Sequence, residues 1–355
     1  MNILYGRTDI NMAGPGVVML KTALAMQQFG HNITVASSGG ELQDSFQDHG
    51  IDSYVIEELS IGRRDPFSIL KAIIKLRKII KDKNIKVIHG HNLVTTLLMY
   101  LAAISCGKKV KTFTTVHGVG KEVFFKYAPG KLVAVSKYVK NRLISVGIPH
   151  KKVEVIYNGF IDLNTFPVSP NYYGKNSGEC INIINVAMMT GGKGHERVIE
   201  AFSSVCKDFP KITLTLVGDG ICKKQLIQYC EQLGIQEKVK FVGVSYEVKR
   251  LLSESDIFVH LPNSETFGMV VLEAMAAGLG VLTCNVGGIP ELIDSGENGI
   301  IVDHDFTKIS SNLRLLVKDK SLRNSLGKNA RAKVAQNFSS DEVFAQYNML
   351  YSEKK

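Results

Sequence analysis

The sequence predicts an α/β fold made of two doubly wound domains, each a parallel sheet with helices on both faces. A chain of 355 residues has the length of two domains. Short apolar runs rich in β-branched residues alternate with longer stretches of helical periodicity along the whole chain. The alternation stops once, over residues 162–179, where Pro, Asn, Gly and Ser dominate, and then restarts. We therefore expect a first domain over 1–165 and a second over 166–337.

In the first half, each predicted strand is followed by a helix or a loop. The predicted strands are 3–5, 32–36, 87–88, 110–116, 132–136 and 153–159. The predicted helices are 17–29, 66–83, 93–106 and 137–147.

The second half repeats the pattern after the linker. Its predicted strands are 181–187, 212–217, 239–242, 257–261, 281–284 and 299–302. Its predicted helices include 196–206, 223–233, 268–277 and 340–352.

The composition is that of a globular protein, with 45% apolar and 21% charged residues. No apolar run reaches the ~18 to 20 residues that a membrane span needs. The first residues lack a basic head and a cleavage site, so we expect no signal peptide. The six cysteines show no CxxC or paired-ligand spacing, which predicts reduced thiols in a cytosolic protein.

The positive charge is confined to the first half of the chain. Residues 1–170 contain 22 Lys and Arg against 12 Asp and Glu, whereas residues 171–355 contain 21 of each. The whole net charge of +10 therefore lies in the first half and indicates an anionic partner for that half. Helix 66–83 carries many of these lysines. It is either a helix packed on the sheet with a solvated outer face or a surface that meets anionic lipid.

Residues 255–288 combine strand 257–261, helix 268–277 and strand 281–284, which is the pattern of a parallel βαβ unit. Glu265 follows the first strand, where open α/β sheets bind ligands. Glu273 is the only charged residue between Thr266 and Val281.

Two interpretations of these carboxylates stay open. A carboxylate accepts two hydrogen bonds from a vicinal diol, and the neighbouring helix N-terminus attracts a phosphate, so the stretch is typical of a nucleotide-sugar site. Alternatively, Glu273 extends to solvent from a half-exposed helix and Glu265 is a solvated loop residue.

Two glycine-rich stretches precede predicted helices. Gly14 and Gly16 flank Pro15 and would allow close backbone approach to a ligand, although Met19 stands where a dinucleotide fingerprint needs a third glycine. Lys193 lies in a Gly-Gly-Lys-Gly stretch at a helix N-terminus, without the spacing of a P-loop.

Several histidines follow predicted strands. His117 ends strand 110–116 and is a candidate ligand contact or an ordinary satisfied polar residue. His89 and His91 have no metal partner at convincing spacing, so we interpret them as loop residues. The triplet 303–305 (Asp-His-Asp) resembles a metal motif but lacks a further ligand, and we attribute it to chance.

The segment SETFGMVVLEAMAAGLGVL, followed by GGIPELI, resembles the glutamate-x7-glutamate signature of the retaining glycosyltransferases of family 4, which have the GT-B fold. Glu265 and Glu273 match the two glutamates. The stretches GGKGHERVIEAF and AVSKYVKNRLISVGIPHKKVEVIYNGFI resemble further segments of that family, in the same order along the chain. Two positions depart from the pattern: Met188 replaces a usual arginine, and Gly280 replaces a proline, which we expect to be harmless.

The resemblance implies a GT-B enzyme whose two Rossmann-like domains face each other across a cleft, with the C-terminal helix 338–355 packing back onto the first domain. It implies transfer of a sugar with retention of configuration and without a bound metal or other cofactor. The co-substrate would be a nucleoside-diphosphate sugar, with a UDP-sugar as the first choice. The acceptor would be a glycan, a lipopolysaccharide or a lipid-linked glycan in surface polysaccharide or capsule synthesis.

The resemblance also assigns roles to residues. Glu273 would bind the ribose and Glu265 the donor sugar, while His117 would contact the sugar. Lys193 and the amides of the helix start would neutralise the diphosphate, and the glycine loop would close over the donor. The implied catalytic residues are His117, Glu265 and Lys193. The implied donor-binding residues are Gly14, Gly16, Lys193, Glu265, Phe267, Gly268, Met269 and Glu273.

Arg7, Lys224 or the helix N-terminus could compensate for Met188. A nucleotide-sugar epimerase and a catalytically inactive binding module are alternative functions on the same fold. The basic first half predicts peripheral attachment to the anionic inner face of the cytoplasmic membrane, and no nucleic-acid partner is expected.

Overall fold

The computed structural model describes residues 1–12, 14–63, 65–169 and 180–353. They form two compact units, of which the first contains Met1–Phe160 and Asp341–Lys355 and the second contains Ile161–Ser340. The division falls close to the predicted boundaries at 165 and 338. Residues 170–179 of the predicted linker lie outside the described residues.

The described part of the first unit contains a seven-stranded parallel sheet in the order β3-β2-β1-β4-β5-β6-β7. Its strands are β1 (Asn2–Gly6), β2 (Asn32–Ser37), β3 (Asp52–Val55), β4 (Val87–Gly90), β5 (Lys111–Val116), β6 (Lys131–Ala134) and β7 (Val153–Val155). Its helices are α1 (Gly14–Gln28), α2 (Gln43–Asp48), α3 (Pro66–Asp82), α4 (Leu93–Ser105) and α5 (Lys137–Ser145).

The second unit contains a six-stranded parallel sheet in the order β10-β9-β8-β11-β12-β13. Its strands are β8 (Ile181–Val186), β9 (Ile212–Val217), β10 (Val239–Gly243), β11 (Ile257–His260), β12 (Gly280–Cys284) and β13 (Ile300–Val302). Its helices are α6 (His195–Val205), α7 (Lys223–Gln232), α8 (Val248–Ser253), α9 (Met269–Ala276), α10 (Ile289–Leu292), α11 (Phe306–Lys318) and α12 (Lys320–Asn337).

Both sheets reverse their strand order at one internal pair of neighbours. In the first sheet the chain runs outward from β1, then returns to place β4 on the other side of β1. In the second sheet the same happens between β8 and β11. The loops at the carboxyl ends of such a pair diverge and leave a crevice, which is where doubly wound sheets bind ligands.

The last helix, α13 (Ser340–Ser352), packs into the core of the first unit. Tyr347 and Tyr351 are fully buried. The Tyr351 hydroxyl lies 2.9 Å from the hydroxyl of Tyr5 on β1 and also contacts Nδ1 of His89 on β4. The helix predicted over 340–352 is therefore confirmed, and its buried tyrosines attach it to the first sheet.

Three local predictions were wrong, the first being the end of β7, which lies at Val155 and not at residue 159. His89 is not a loop residue: it lies inside β4, is fully buried, and its Nε2 lies 2.7 Å from Oγ1 of Thr115. Helix α1 begins at Gly14 rather than near residue 17, since Pro15 suits a first helical turn. A side chain at Gly16 would meet the carbonyl oxygen of Asn11, so this glycine allows close approach of the chain to itself.

The two longest predicted helices of the first half are confirmed, and their starts are capped. Asp65 accepts a hydrogen bond from the backbone of Ser68 at the start of α3, and Asn92 accepts one from Thr95 at the start of α4. Among the described residues, no helix combines the length and the apolar character needed to cross a membrane.

We expect Tyr351→Ala to destabilise the first unit by about 3 to 5 kcal/mol, because it leaves a cavity and removes the hydroxyl between Tyr5 and His89. Urea unfolding should show the loss. The control, Tyr246→Ala, removes a tyrosine that is 79% exposed in the second unit and should cost less than about 0.5 kcal/mol. Equal losses in the two variants would contradict the role of α13 in the core.

Candidate functional site

Lys193 and Glu265 meet at the point where the strand order of the second sheet reverses. Lys193 lies in the loop between β8 and α6, and Glu265 lies in the loop between β11 and α9. Lys193 Nζ donates a hydrogen bond to Oε2 of Glu265 at 3.1 Å. The structure thus brings together two of the predicted site residues from neighbouring strand ends.

Glu265 is mostly buried, yet it is strongly acidic. Burial alone would raise the pKa of Glu265, but His260 and the charge of Lys193 outweigh it and lower this pKa to about 2. His260 is itself buried, with Nε2 lying 3.6 Å from Oε2 of Glu265. Glu265 is therefore ionised at neutral pH, so it can accept hydrogen bonds from hydroxyl groups.

The backbones of the two loops are fixed to each other. The amide of Asn263 donates to the carbonyl of Gly192 at 2.8 Å. Arg197 donates to the carbonyl of Leu261 through Nε and Nη2, at 3.1 and 2.6 Å, and through Nη2 to Oδ1 of Asn263 at 2.6 Å. Gly194 has φ +78°, and a Cβ there would lie 1.8 Å from the Leu261 carbonyl oxygen. Only glycine allows this approach.

Two glycines in the loop after β12 contact the backbone of Glu265. Gly287 has φ +57°, and a Cβ there would lie 1.6 Å from the carbonyl oxygen of Glu265. The amide of Gly288 donates to that same oxygen at 3.1 Å. The backbone of Glu265 therefore depends on close contact with the start of the β12–α10 connection.

Helix α9 begins close to Glu265, at the position predicted for it. Gly268 has φ +100° and precedes the first residue of α9, Met269. Phe267 is buried and packs edge-on against Phe338, with ring centroids 5.9 Å apart. Glu273 is half-buried on the fifth position of α9. The predicted roles of these residues stay predictions.

His117, Gly14 and Gly16 belong to the first unit. His117 follows β5, and its Nε2 lies 3.0 Å from Nδ1 of His91, which follows the neighbouring strand β4. Burial and the charge of Arg7 lower the pKa of His117 to about 3, so its ring is neutral at physiological pH. Arg7 donates to the carbonyls of Asp9 and His91, at 2.8 and 3.3 Å.

Met188, at the position of the missing arginine, is 63% exposed in the loop after β8. The loop after β9 lies against it: the amide of Met189 donates to the carbonyl of Asp219 at 2.8 Å. Lys223 reaches this loop, with Nζ 2.7 Å from Oδ2 of Asp219. Sequence reasoning missed this loop, although the Gly-Asp-Gly stretch after a predicted strand is a signal for close backbone approach.

The triplet 303–305 makes ordinary structural contacts. Asp303 pairs with Lys308 at 2.8 Å, and His304 Nε2 lies 3.0 Å from the carbonyl of Pro262. Asp305 caps the start of α11. The described part of the chain contains no group of three or more His, Cys, Asp or Glu residues arranged to hold a metal ion.

Two doubly wound units in one chain are the architecture of the GT-B glycosyltransferases. The structure of Anabaena Alr3699/HepE in complex with UDP-glucose matches with a TM-score of 0.84 and 20% identity, over 99% of this chain and 100% of that chain. The family model described as Glycosyltransferase Family 4 matches residues 12–163, and that described as Glycosyl transferases group 1 matches residues 174–333. The chain belongs to this family of glycosyltransferases.

Two curated relatives match over nearly their whole length. N-acetyl-alpha-D-glucosaminyl L-malate synthase of Bacillus anthracis is 28% identical over 362 residues, covering 96% of this chain and 94% of the relative. The O-antigen biosynthesis glycosyltransferase WclY of Escherichia coli is 24% identical over 352 residues, covering 91% of this chain and 94% of the relative.

We expect Gly287→Ala to cost about 3 kcal/mol or more in the stability of the second unit, because it combines backbone strain with a clash against the Glu265 carbonyl. Gly296→Ala is the matched control. Gly296 also has positive φ, at +87°, but a Cβ there meets nothing within 4 Å, so only the strain of about 1 kcal/mol applies. Urea unfolding measures both losses, and equal values would refute the packing argument.

Proposed function

We propose that the protein is a retaining glycosyltransferase that moves a sugar from a nucleoside-diphosphate sugar, with a UDP-sugar as first choice, to a glycan or glycolipid. We further propose that it acts without a bound metal. The observation that carries the proposal is the ion pair between Lys193 and Glu265 at the strand-order reversal of the second sheet, beside the N-terminus of α9.

The chemistry requires that negative charge be stabilised on a departing diphosphate. A lysine ammonium and the N-terminus of a helix both do so, and they are most effective where water is partly excluded. Lys193 is only 30% exposed and is oriented by Glu265. We therefore assign the diphosphate to Lys193 and to the amides of Phe267, Gly268 and Met269.

The carboxylates of Glu265 and Glu273 are assigned to hydroxyl groups of the donor. Glu265 stays ionised because its pKa lies near 2, so it accepts hydrogen bonds from the donor sugar. Glu273, further along α9, is assigned to the ribose. A carboxylate as acidic as Glu265 is a poor general base at neutral pH. This supports a mechanism in which an oxygen of the leaving diphosphate takes the proton of the acceptor hydroxyl on the same face, which retains the configuration.

His117 is assigned to the sugar as a hydrogen-bonding group. Its low pKa keeps the imidazole neutral, so it can donate from one nitrogen and accept at the other. Its contact with His91 Nδ1 restricts the tautomer and orients the ring.

For the acceptor, we propose a surface polysaccharide, a lipopolysaccharide or a lipid-linked glycan at the inner face of the cytoplasmic membrane. The Escherichia coli relative is named for O-antigen biosynthesis. Helix α3 supports a membrane location, because its outer face exposes Phe67, Leu70 and Ile74 by 66, 55 and 58% next to exposed lysines. Apolar side chains beside lysines on one helix face are the pattern of a helix that lies in a membrane interface.

A second candidate is transfer of an N-acetylglucosaminyl unit to a small hydroxy acid. The observation in its favour is the similarity over nearly the whole chain to the Bacillus anthracis relative, whose name gives that product. A panel of acceptors that includes L-malate separates this candidate from the glycan acceptors.

The direct test incubates the protein with a panel of nucleotide sugars and acceptors in EDTA and follows the anomeric protons by NMR. We expect a product with the anomeric configuration of the donor. Inversion, or activity only after Mg²⁺ or Mn²⁺ is restored, would contradict the mechanism. Isomerisation of the donor without an acceptor would indicate an epimerase, and binding without transfer or hydrolysis would indicate an inactive module.

Lys193→Ala should lower the transfer rate by roughly ten- to a hundredfold, because a charge-assisted hydrogen bond contributes ~1.5 to 3 kcal/mol. Lys207→Ala, which removes an exposed lysine of the same unit, is the control and should leave the rate unchanged. A near-normal rate in Lys193→Ala would place the phosphate site elsewhere. The variant Met188→Arg is the companion test. Tighter binding of UDP by this variant would show that the wild-type site lacks a cation at position 188. Unchanged binding would show that another group already supplies the positive charge.

Reversing two charges on α3, in the double variant Lys71→Glu and Lys78→Glu, should reduce flotation with vesicles that contain anionic phosphatidylglycerol. Each basic residue near such a surface contributes ~1 kcal/mol, so the loss should exceed tenfold. Lys207→Glu with Lys240→Glu, both exposed in the second unit, is the matched control. Equal flotation of the wild type with anionic and neutral vesicles would reject the membrane surface.

A further inference from the structure

The first unit contains a large apolar cavity that the donor site does not use. Its volume is about 660 Å³, and its walls come from the loop before α3, the first turns of α4 and the segment that follows β5. The apolar walls are formed by Ile61, Leu93, Val94, Leu97, Phe124 and Tyr127.

The cavity lies where the first sheet reverses its strand order. Thr8 and Asn92, at its polar edge, follow β1 and β4, and Asn92 Nδ2 donates to Oγ1 of Thr8 at 3.3 Å. Arg7 and His91, the residues just before them, are joined by a hydrogen bond, and His91 contacts His117. Ligands of doubly wound sheets bind in this position.

Part of the apolar wall is exposed to solvent rather than packed. Ile61, Phe124 and Tyr127 are 72, 55 and 74% exposed. Contiguous exposed apolar surface of this kind marks a binding groove on a soluble domain.

The aromatic wall is held in place by polar contacts at both ends of the turn that carries it. Phe124 and Tyr127 belong to a short helical turn, Glu122–Tyr127. The carboxylate of Glu122 is buried and accepts hydrogen bonds from Arg142 Nε at 2.9 Å and from the amide of Gly120 at 2.8 Å. At the other end, Lys152 donates to the carbonyl of Ala128 at 2.6 Å. Burying a carboxylate costs free energy unless hydrogen bonds compensate it. The hydrogen bonds of Glu122 therefore fix the position of the turn that carries Phe124 and Tyr127.

Basic side chains lie near the cavity, so a ligand that fits it would have an anionic end as well as an apolar one. Lys121 is exposed at the rim, and Arg7 lies beside the polar edge. The first half of the chain carries the whole net charge of +10. A second copy of the chain would bring like charges together at this surface, whereas an anionic amphiphile satisfies both the apolar walls and the cations.

We propose that this cavity binds the hydrocarbon chain of an amphiphilic acceptor, with its phosphate head group towards Arg7 and Lys121. The proposal rests on the proposed function, since it identifies the class of acceptor. It selects a lipid-linked acceptor over a small hydroxy acid, which would leave the apolar walls exposed.

Binding of dodecyl phosphate and butyl phosphate, both below micelle-forming concentrations, tests the site by titration calorimetry without any donor. We expect saturable binding of one dodecyl phosphate, at least about tenfold tighter than butyl phosphate, because only the longer chain buries apolar surface in the cavity. The double variant Ile61→Ser with Tyr127→Ser should lose about tenfold in dodecyl phosphate binding.

The matched control is Val244→Ser with Tyr246→Ser. It removes an aliphatic and an aromatic side chain that are 72 and 79% exposed in the second unit, and it should bind dodecyl phosphate like the wild type. Equal affinity of the two phosphates, or equal loss in the two double variants, would overturn the proposal. A change of oligomeric state in the cavity variant would assign the walls to a contact between copies and would also overturn it.

Titration of UDP and UDP-sugars with the same proteins separates this idea from the proposed function. The cavity variant should bind the nucleotide as the wild type does, since the residues assigned to the diphosphate and the ribose lie in the second unit. Failure of the wild type to bind any nucleotide sugar would reject the glycosyltransferase proposal, while the alkyl phosphate result would still decide whether the cavity binds an amphiphile.

Discussion

The carboxylate of Glu265, which is only 16% exposed, is the constraint on which the second unit's site depends. A carboxylate can be this far from water only if cations and dipoles compensate it. Lys193 and His260 do so through the side chain, and the amide of Gly288 binds the backbone carbonyl of the same residue. Three strand ends must therefore lie close together before Glu265 can be held, and the glycines at 194 and 287 permit this approach.

The first unit is organised around a row of stacked aromatic and imidazole rings. Tyr5, His89, His91 and His117 follow one another with centroids 5.5, 4.9 and 5.2 Å apart. Tyr351 of α13 closes the buried end of the row through its hydroxyl. Because burial strongly disfavours the charged imidazolium, the row is neutral, and its last ring is presented as a fixed hydrogen-bonding group.

The two units use the same topological position for different chemistry. In the second sheet the strand-order reversal carries paired charges suited to a phosphate and to sugar hydroxyls. In the first sheet it carries an apolar cavity with cations at its edge.

The sequence by itself determined the fold class, most strands and helices, and the positions of Lys193, Glu265 and Glu273 relative to strand ends, since these follow from local periodicity and from the polarity of loops. It did not reveal that His89 is buried, because burial depends on Tyr351, which lies 262 positions away. The contacts of Glu265 with Lys193 and Gly287, and the apolar cavity beside α4, likewise arise between segments that are distant in the chain. Only the tertiary structure decided them, because distance between residues is set by sheet order and not by sequence separation.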